Sequence, residues 1–231
     1  MSYKELKRAA YEANMELHHR HLVVYNFGNV SEIDRSKGVI AIKPSGVQYD
    51  VLTVEDIVVV DLDNVVVEGK MHPSSDTRTH THLYRHFDMI GGVTHTHSAY
   101  ATAWAQAQLA IPCMGTTHAD FVHGEIPCTA VMTDLQIQRD YEEETGVQIT
   151  DCFRDRSPAE SPMVIVAGHG PFTWGNDAAK AVYHAVILEE VARMAYLTKT
   201  LRPDIGPLNQ AIVDKHFLRK HGKNAYYGQS K

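Results

Sequence analysis

The sequence predicts an α/β protein built on a mixed or mainly antiparallel sheet covered by helices. Three observations lead there. Short β-branched runs are bounded by turn residues, longer segments repeat their apolar positions at helical spacing, and the two kinds of segment interleave. Several runs also lie close enough to be joined by hairpins, a connection that parallel strands cannot use. At 231 residues the chain can enclose one sizeable core, and nothing in it reads as a linker, repeat or low-complexity segment. One domain over residues 1–231 is the economical expectation.

The first element is a helix. Ser2 and Glu5 have capping-box spacing, and Leu6, Ala9, Ala10, Ala13 and Leu17 make one apolar face. It ends in His18-His19-Arg20-His21, basic side chains suited to a helix C-terminus. Strands are expected at Leu22–Phe27 and Val39–Lys43, the second entered through Ser36-Lys37-Gly38. Ile57–Val60 and Val65–Val67 flank Asp63-Asn64, a tight hairpin. A helix follows from about Ser75 to Phe87, with Ser74 or Ser75 as its cap. His82 and His86 lie one turn apart on it; with no carboxylate at chelating spacing, they read as surface or packing residues.

A strand through His95 and His97 comes next, then an alanine-rich helix from Ser98 to about Gln108. Thr133 and Gln136 open a further helix that Gly146 closes, with the acidic run Asp140–Glu144 on a solvated face. Pro162–Ala167 reads as a buried strand. Asn176 caps the longest helix, reaching about Leu201, and a last helix runs from about Leu208 to His221, stopped by Gly222.

Composition excludes several classes. A net charge of −6, from 22 basic and 28 acidic residues, argues against general nucleic-acid binding. No apolar run approaches the roughly 18 residues that a membrane span needs. The charged N-terminus lacks the apolar core of a signal peptide. Cys113, Cys128 and Cys152 are odd in number and widely spaced, which suits free thiols in a reducing, cytoplasmic setting.

The chemistry concentrates in four stretches. In Ile90-Gly-Gly-Val-Thr-His95-Thr-His97-Ser98, side chains at i and i+2 of a strand project to one face, so His95 and His97 can share a cation. With 15 histidines in the chain, two hydrogen-bonded residues on a half-buried strand would look the same. His169, in Gly168-His169-Gly170-Pro171 at a strand end, is either part of a plain turn or the third member of an open catalytic divalent site. Imidazole suits zinc best, with manganese or cobalt as substitutes.

Pro73-Ser74-Ser75-Asp76-Thr77 places two serines at a helix N-terminus, where free backbone N–H groups can cradle a phosphate; an ordinary cap reads alike. Asp76 fits a fourth metal ligand or a nearby base. Lys43-Pro44-Ser45-Gly46 and Gly28-Asn29-Val30-Ser31 are polar turns of similar character. Together they suggest a small phosphorylated substrate beside a metal.

In this order, the strings Gly28–Ser31, Lys43–Gly46, Pro73–Asp76, His95-Thr-His97, Gly115-Thr-Thr-His-Ala-Asp120 and His169-Gly-Pro171 resemble the class II aldolase/adducin family, over roughly residues 4–229. Lys215–His221 and Ala225-Tyr-Tyr-Gly-Gln229 resemble its sugar-phosphate epimerases. The resemblance implies a three-layer α/β/α sandwich, a cyclic homotetramer, and one zinc site per subunit at the boundary between neighbours. It implies His95, His97 and His169 as zinc ligands with Asp76 beside the metal. Ser45, Gly46, Ser74 and Ser75 would hold the phosphate, with Lys43 and Asn29 nearby. Asp120 and Tyr227 would be the acid/base pair, the tyrosine coming with the C-terminal tail of an adjacent subunit. His216 and Arg219 would also reach across, and Thr116 and Glu142 would support Asp120 or the interface.

The implied substrate is a small phosphorylated ketopentose, inverted at C4 by metal-assisted cleavage and re-formation of the C3–C4 bond. The family's aldolases, which release their fragments, carry glutamate where Asp76 stands. Its adducin-like binding domains are disfavoured by the three intact histidines. Phe27 stands where the family has tryptophan and His123 where it has tyrosine, changes of pocket shape that remove no reacting group; Asp155–Ser161 looks variable.

Overall fold

The computed structural model describes residues 3–223, Ala225 and Tyr226. The expected Ser2 cap and Tyr227 lie outside the described residues. Among those described, one seven-stranded sheet contains β1 (Asn29–Asp34), β2 (Val39–Ile42), β3 (Val58–Asp61), β4 (Val66–Glu68), β5 (Gly92–His95), β6 (Met163–Val166) and β7 (Gly170–Gly175). The spatial order is β4-β3-β2-β1-β5-β7-β6, and every neighbouring pair is antiparallel. The helices are α1 (Tyr3–His19), α2 (Thr77–His86), α3 (Ala99–Gln106), α4 (Thr116–Ala119), α5 (Asp134–Cys152), α6 (Ala178–Leu201) and α7 (Gln210–His221).

Alternation along the strands makes the layers. Ile40, Ile42, Val58, Val60, Val164 and Val166 share one face with Leu83, Tyr84 and Phe87 at α2 and Ile149 of α5. Val39, Ala41 and Val59 point the other way, onto Leu6 and Ala10 of α1. Met163 and Ile165 do likewise, onto Ala101 of α3 and Leu188 of α6. This is the three-layer α/β/α sandwich that the resemblance implied. Each fully buried aliphatic side chain adds about 1.5–3 kcal/mol to it. Gly92 lets β5 approach α6 closely: a Cβ there would meet the Ala178 backbone at 2.4 Å.

Several boundaries differ from expectation. Leu22–Phe27 is no strand, because His21 (φ 57°) and Tyr25 (φ 54°) turn the chain and Val24, Tyr25 and Phe27 are exposed. The strand comes later, as β1, whose Asn, Ser, Glu and Asp mask its central place in the sheet. Gly170 and Pro171, which a plain turn at Gly168–Pro171 would have included, instead begin the strand β7. Asp76, rather than Ser74 or Ser75, stands at the N-cap of α2. Asp177 rather than Asn176 caps α6, accepting from the Lys180 amide at 2.6 Å, and Asn209 caps a later-starting α7.

Gly146 does not close its helix. It lies inside α5, where a Cβ would sit 2.7 Å from the Cβ of His82, so it is the point of closest approach to α2. The break falls instead at Asp140, whose φ of −158° and ψ of 95° are extended. The acidic run is no solvated face either. Asp140 pairs with Arg78, and Glu143 pairs with His82 at 2.8 Å and Arg85 at 3.1 Å, tying α5 to α2.

Candidate active site

Antiparallel pairing collects the site at one edge of the sheet. Asn29, the first residue of β1, lies opposite His95, the last of β5, and His95 lies opposite Phe172 near the start of β7. Thus the beginnings of β1 and β7 and the end of β5 share an edge, and His97 and His169 stand just beyond it. Lys43 follows β2 at that same edge. Two backbone bonds, Ser45 N to His72 O and Ser74 N to Lys43 O, both 3.0 Å, press the 43–46 turn against the 73–76 turn. The resulting cleft, about 510 Å³, is lined by Asn29, Lys43, Ser45, Gly46, Ser74, Ser75, Asp76, Glu142 and the three histidines, among others.

The histidines fit a divalent ion. One ring nitrogen from each of His95, His97 and His169 lies within 4.8 Å of the other two. Ligand atoms held at roughly 2 Å from zinc stand a little over 3 Å apart, within that spread. The Nδ1 of His95 faces the Pro171 carbonyl at 2.9 Å, so it carries the proton and leaves Nε2 with its lone pair. That Nε2 lies 3.0 Å from Nε2 of His97 and 4.0 Å from Oδ2 of Asp76. Burial, with His95 alongside, pushes His169 down to about 3 and lowers His97 too, so both rings are neutral at pH 7 and free to offer a lone pair. Burial pushes Asp76 up, but His95, His80 and the Asn29 hydrogen bond outweigh it, and the carboxyl ends below its ordinary range.

The turns differ in what they offer. Asn29 Nδ2 donates to Ser74 Oγ at 3.0 Å and to Asp76 Oδ2 at 2.7 Å. Ser45, Gly46 (φ 72°) and Ser75 are exposed to the cleft; the two serines can present hydroxyls, and Gly46 and Ser75 backbone N–H groups, to an anion. Lys43 is fully buried. Its ammonium donates to the Asn26, Pro44 and Val47 carbonyls and lies 4.8 Å over the Tyr49 ring. Burial lowers it to about 8. In this chain it binds the loop together first, and adds positive potential to the cleft second.

Asp120 is not among the residues lining that cleft. It accepts from His216 at 3.0 Å and Arg219 at 2.9 Å, and Lys220 lies 3.2 Å away. Burial raises its pKa, but the hydrogen bonds from His216, Arg219 and Lys220 prevail and hold it below the usual range. His216 and Arg219, expected to reach a neighbour, therefore touch Asp120 of their own chain. Thr116 opens α4 in the same region, exposed. His123 is held by Asp214 at 2.8 Å and stacks on Phe217, while Phe27 stands at the cleft, its ring 6.1 Å from that of His97.

Sequence reasoning missed two residues at the site. His80 lies one helical turn after Asp76; its Nδ1 meets Ser31 Oγ at 2.7 Å and its Nε2 is buried without a partner. The i, i+4 spacing from Asp76 was a signal for it. Tyr141 lines the cleft with its hydroxyl 3.4 Å from Nδ1 of His169. Nothing local marked it, because the helix break before it falls on an aspartate.

Comparison with known proteins bears on the family and the fold. The family model of the Class II Aldolase and Adducin N-terminal domain matches residues 8–196. The L-ribulose-5-phosphate 4-epimerases UlaF of Salmonella typhi and of Salmonella paratyphi A are each 50% identical over 226 residues, covering 98% of this chain and 99% of theirs. Among solved structures, an L-fuculose 1-phosphate aldolase superposes with a TM-score of 0.80 at 24% identity, over 92% of this chain and 94% of its own. The L-fuculose-1-phosphate aldolase from Thermus thermophilus gives 0.68 at 23% identity, over 89% and 100%.

Proposed function

The chain belongs to the class II aldolase and adducin family, and from that premise we propose that it is an L-ribulose-5-phosphate 4-epimerase, interconverting L-ribulose 5-phosphate and D-xylulose 5-phosphate. One observation carries the reading: a trihistidine cluster with Asp76 shares a cleft with the two turns, at 45–46 and 74–75, that suit a phosphate. The 50% identity to named epimerases, along nearly the whole chain, supports it over an aldolase.

His95, His97 and His169 would hold the ion, with Asp76 beside it. Zinc is the expected metal, since borderline-soft imidazole favours it, with Mn²⁺ or Co²⁺ as substitutes. A divalent ion supplies Lewis-acid polarisation of the C2 carbonyl and C3 hydroxyl oxygens. Carbon 4 of a ketopentose phosphate carries no acidic proton, so inversion proceeds by breaking the C3–C4 bond. A base takes the C4 hydroxyl proton, the bond's electron pair passes into the C2 carbonyl as an enediolate, and glycolaldehyde phosphate is left. Ser45, Gly46, Ser74 and Ser75 keep that aldehyde by its phosphate while it turns. The enediolate then attacks its other face, and an acid protonates the new alkoxide. Asp120 and Tyr227 are the acid/base pair, on opposite sides of the aldehyde.

Because Asp120 stands outside the single-chain cleft, we assign the complete site to a homo-oligomer, expected to be a tetramer. One catalytic domain per subunit would lend its C-terminal tail to a neighbour, with His216 and Arg219 close by. The free thiols suit the cytoplasm. Conversion of L-ribulose 5-phosphate to D-xylulose 5-phosphate, followed by a coupled assay with and without chelator, is the test. The expected result is turnover that chelator abolishes and Zn²⁺ restores; no turnover with metal bound would overturn the reading.

A further inference from the structure

Tyr141 reaches the cleft because α5 breaks one residue before it. Contacts from inside and outside the helix hold the break. The Asp140 carboxylate pairs with Arg78 of α2, and its Oδ1 accepts from the Glu143 amide at 3.1 Å, so Asp140 restarts the helix as an internal cap. The new turn is closed by Thr145 Oγ1 donating to the Tyr141 carbonyl at 2.8 Å. The phenol ring then stands 5.9 Å from the His169 ring, its oxygen 3.4 Å from Nδ1.

The three histidines are not fixed alike. His95 has a backbone carbonyl on Nδ1 and stacks on Phe172 at 4.2 Å. His169 sits in the turn between β6 and β7, after Gly168 with φ 72°, and its ring is half-buried. Among the described residues, Tyr141 supplies the hydrogen-bond partner of its Nδ1.

We propose that Tyr141 is a positioning residue for His169: its phenol oxygen accepts the Nδ1 proton, fixing ring and tautomer so that Nε2 carries the lone pair offered to the ion. Metal-ligating histidines ordinarily gain basicity and orientation from such a partner on the distal nitrogen. Arg78 and Asp140 act one step further back, by holding the break that aims Tyr141. The inference rests on the trihistidine metal reading, and its test separates the two.

Metal-free protein is titrated with Zn²⁺ against a chromophoric chelator at pH 7, for the parent chain, Tyr141→Phe and Arg78→Ala. The parent binds tightly, Tyr141→Phe binds about 10- to 100-fold more weakly, and Arg78→Ala falls between them. Tyr141→Phe keeps the ring and deletes one oxygen, so equal urea midpoints would exclude general loosening. Equal Zn²⁺ affinity in Tyr141→Phe and a tightly binding parent overturns the role of Tyr141 alone; a parent that binds no Zn²⁺ overturns the metal reading itself. A second measurement stands whatever the variants' folding. Imidazole ¹⁵N shifts of the metal-free parent should show His169 with its proton on Nδ1, and a proton on Nε2 instead sinks the proposal.

Discussion

Asn29 holds Asp76 in place: its Nδ2 donates to Oδ2 at 2.7 Å, joining the first residue of β1 to the N-cap of α2. Asn29→Ala removes that donor, and with it the hydrogen bond that Ser74 Oγ accepts from the same Nδ2. Leaving a half-buried carboxylate short of a partner costs about 1–3 kcal/mol. Asp76 has a folded pKa below its ordinary value, so the stability it contributes is present at neutral pH and is lost as pH falls through that folded value. With Asn29 gone the folded value rises, and the loss begins at higher pH. Urea unfolding at several acidic pH values checks both parts; an unchanged pH dependence would contradict the pairing.

Gly146→Ala should destabilise despite adding a better helix former. Alanine gains about 1 kcal/mol over glycine in a helix. Against that, its Cβ would lie 2.7 Å from Cβ and 2.8 Å from Cγ of His82. His82 cannot easily yield, because Glu143 binds its Nδ1 and His86 stacks on it at 4.0 Å. Overpacking of this kind costs about 1–3 kcal/mol, so the net change is a loss. His82→Ala in the same chain should recover part of it, measured as a non-additive double-mutant cycle.

Acid should weaken the fold over a window set by buried histidines. Burial pushes His80 and His169 down to about 3, and His118 and His184 down to about 4, from an ordinary 6.5. Between those limits the unfolded chain binds more protons than the folded one, so stability rises with pH from about 3 to 6.5. The urea midpoint of metal-free protein should climb through this range, and His80→Gln should flatten the climb. A midpoint constant from pH 4 to 6.5 would refute the assignment.

If the reaction breaks the C3–C4 bond, the hydrogen on C4 never leaves carbon. Turnover in deuterated water should give product without label at that position, read by NMR or mass spectrometry. Asp120→Asn should reduce turnover by about 10²–10⁴, the usual worth of a general acid or base, while Zn²⁺ stays bound. Label appearing at C4 would show deprotonation instead.

Much of the site was legible because its residues stand at element ends, where short polar strings interrupt apolar runs. Pro73–Asp76 and His95-Thr-His97 could be read without knowing the sheet. The strand β1 could not, since Asn29, Ser31 and Glu32 are buried or half-buried through specific partners rather than through hydrophobicity. Glu32, for instance, accepts from the Ala178 amide at 3.0 Å. The break in α5 was equally silent: Asp140, where it falls, pairs with Arg78 on another helix, and no proline or glycine announces it. Asp120 lay in a readable motif, but its bonds to His216 and Arg219 join segments far apart in sequence.

The position of β5 in the sheet has a bearing on assembly of the chain during synthesis. It carries His95, and it is flanked by β1, from the early sequence, and β7, from the late sequence. A nascent chain that has emerged as far as His97 owns two of the three imidazoles but has neither the β7 carbonyl that orients His95 nor His169 itself. If the three imidazoles take up a divalent ion, tight capture must therefore wait until β7 is paired with β5. Fragments ending before Met163 lack His169 and should bind a divalent ion no more tightly than a two-histidine chelate.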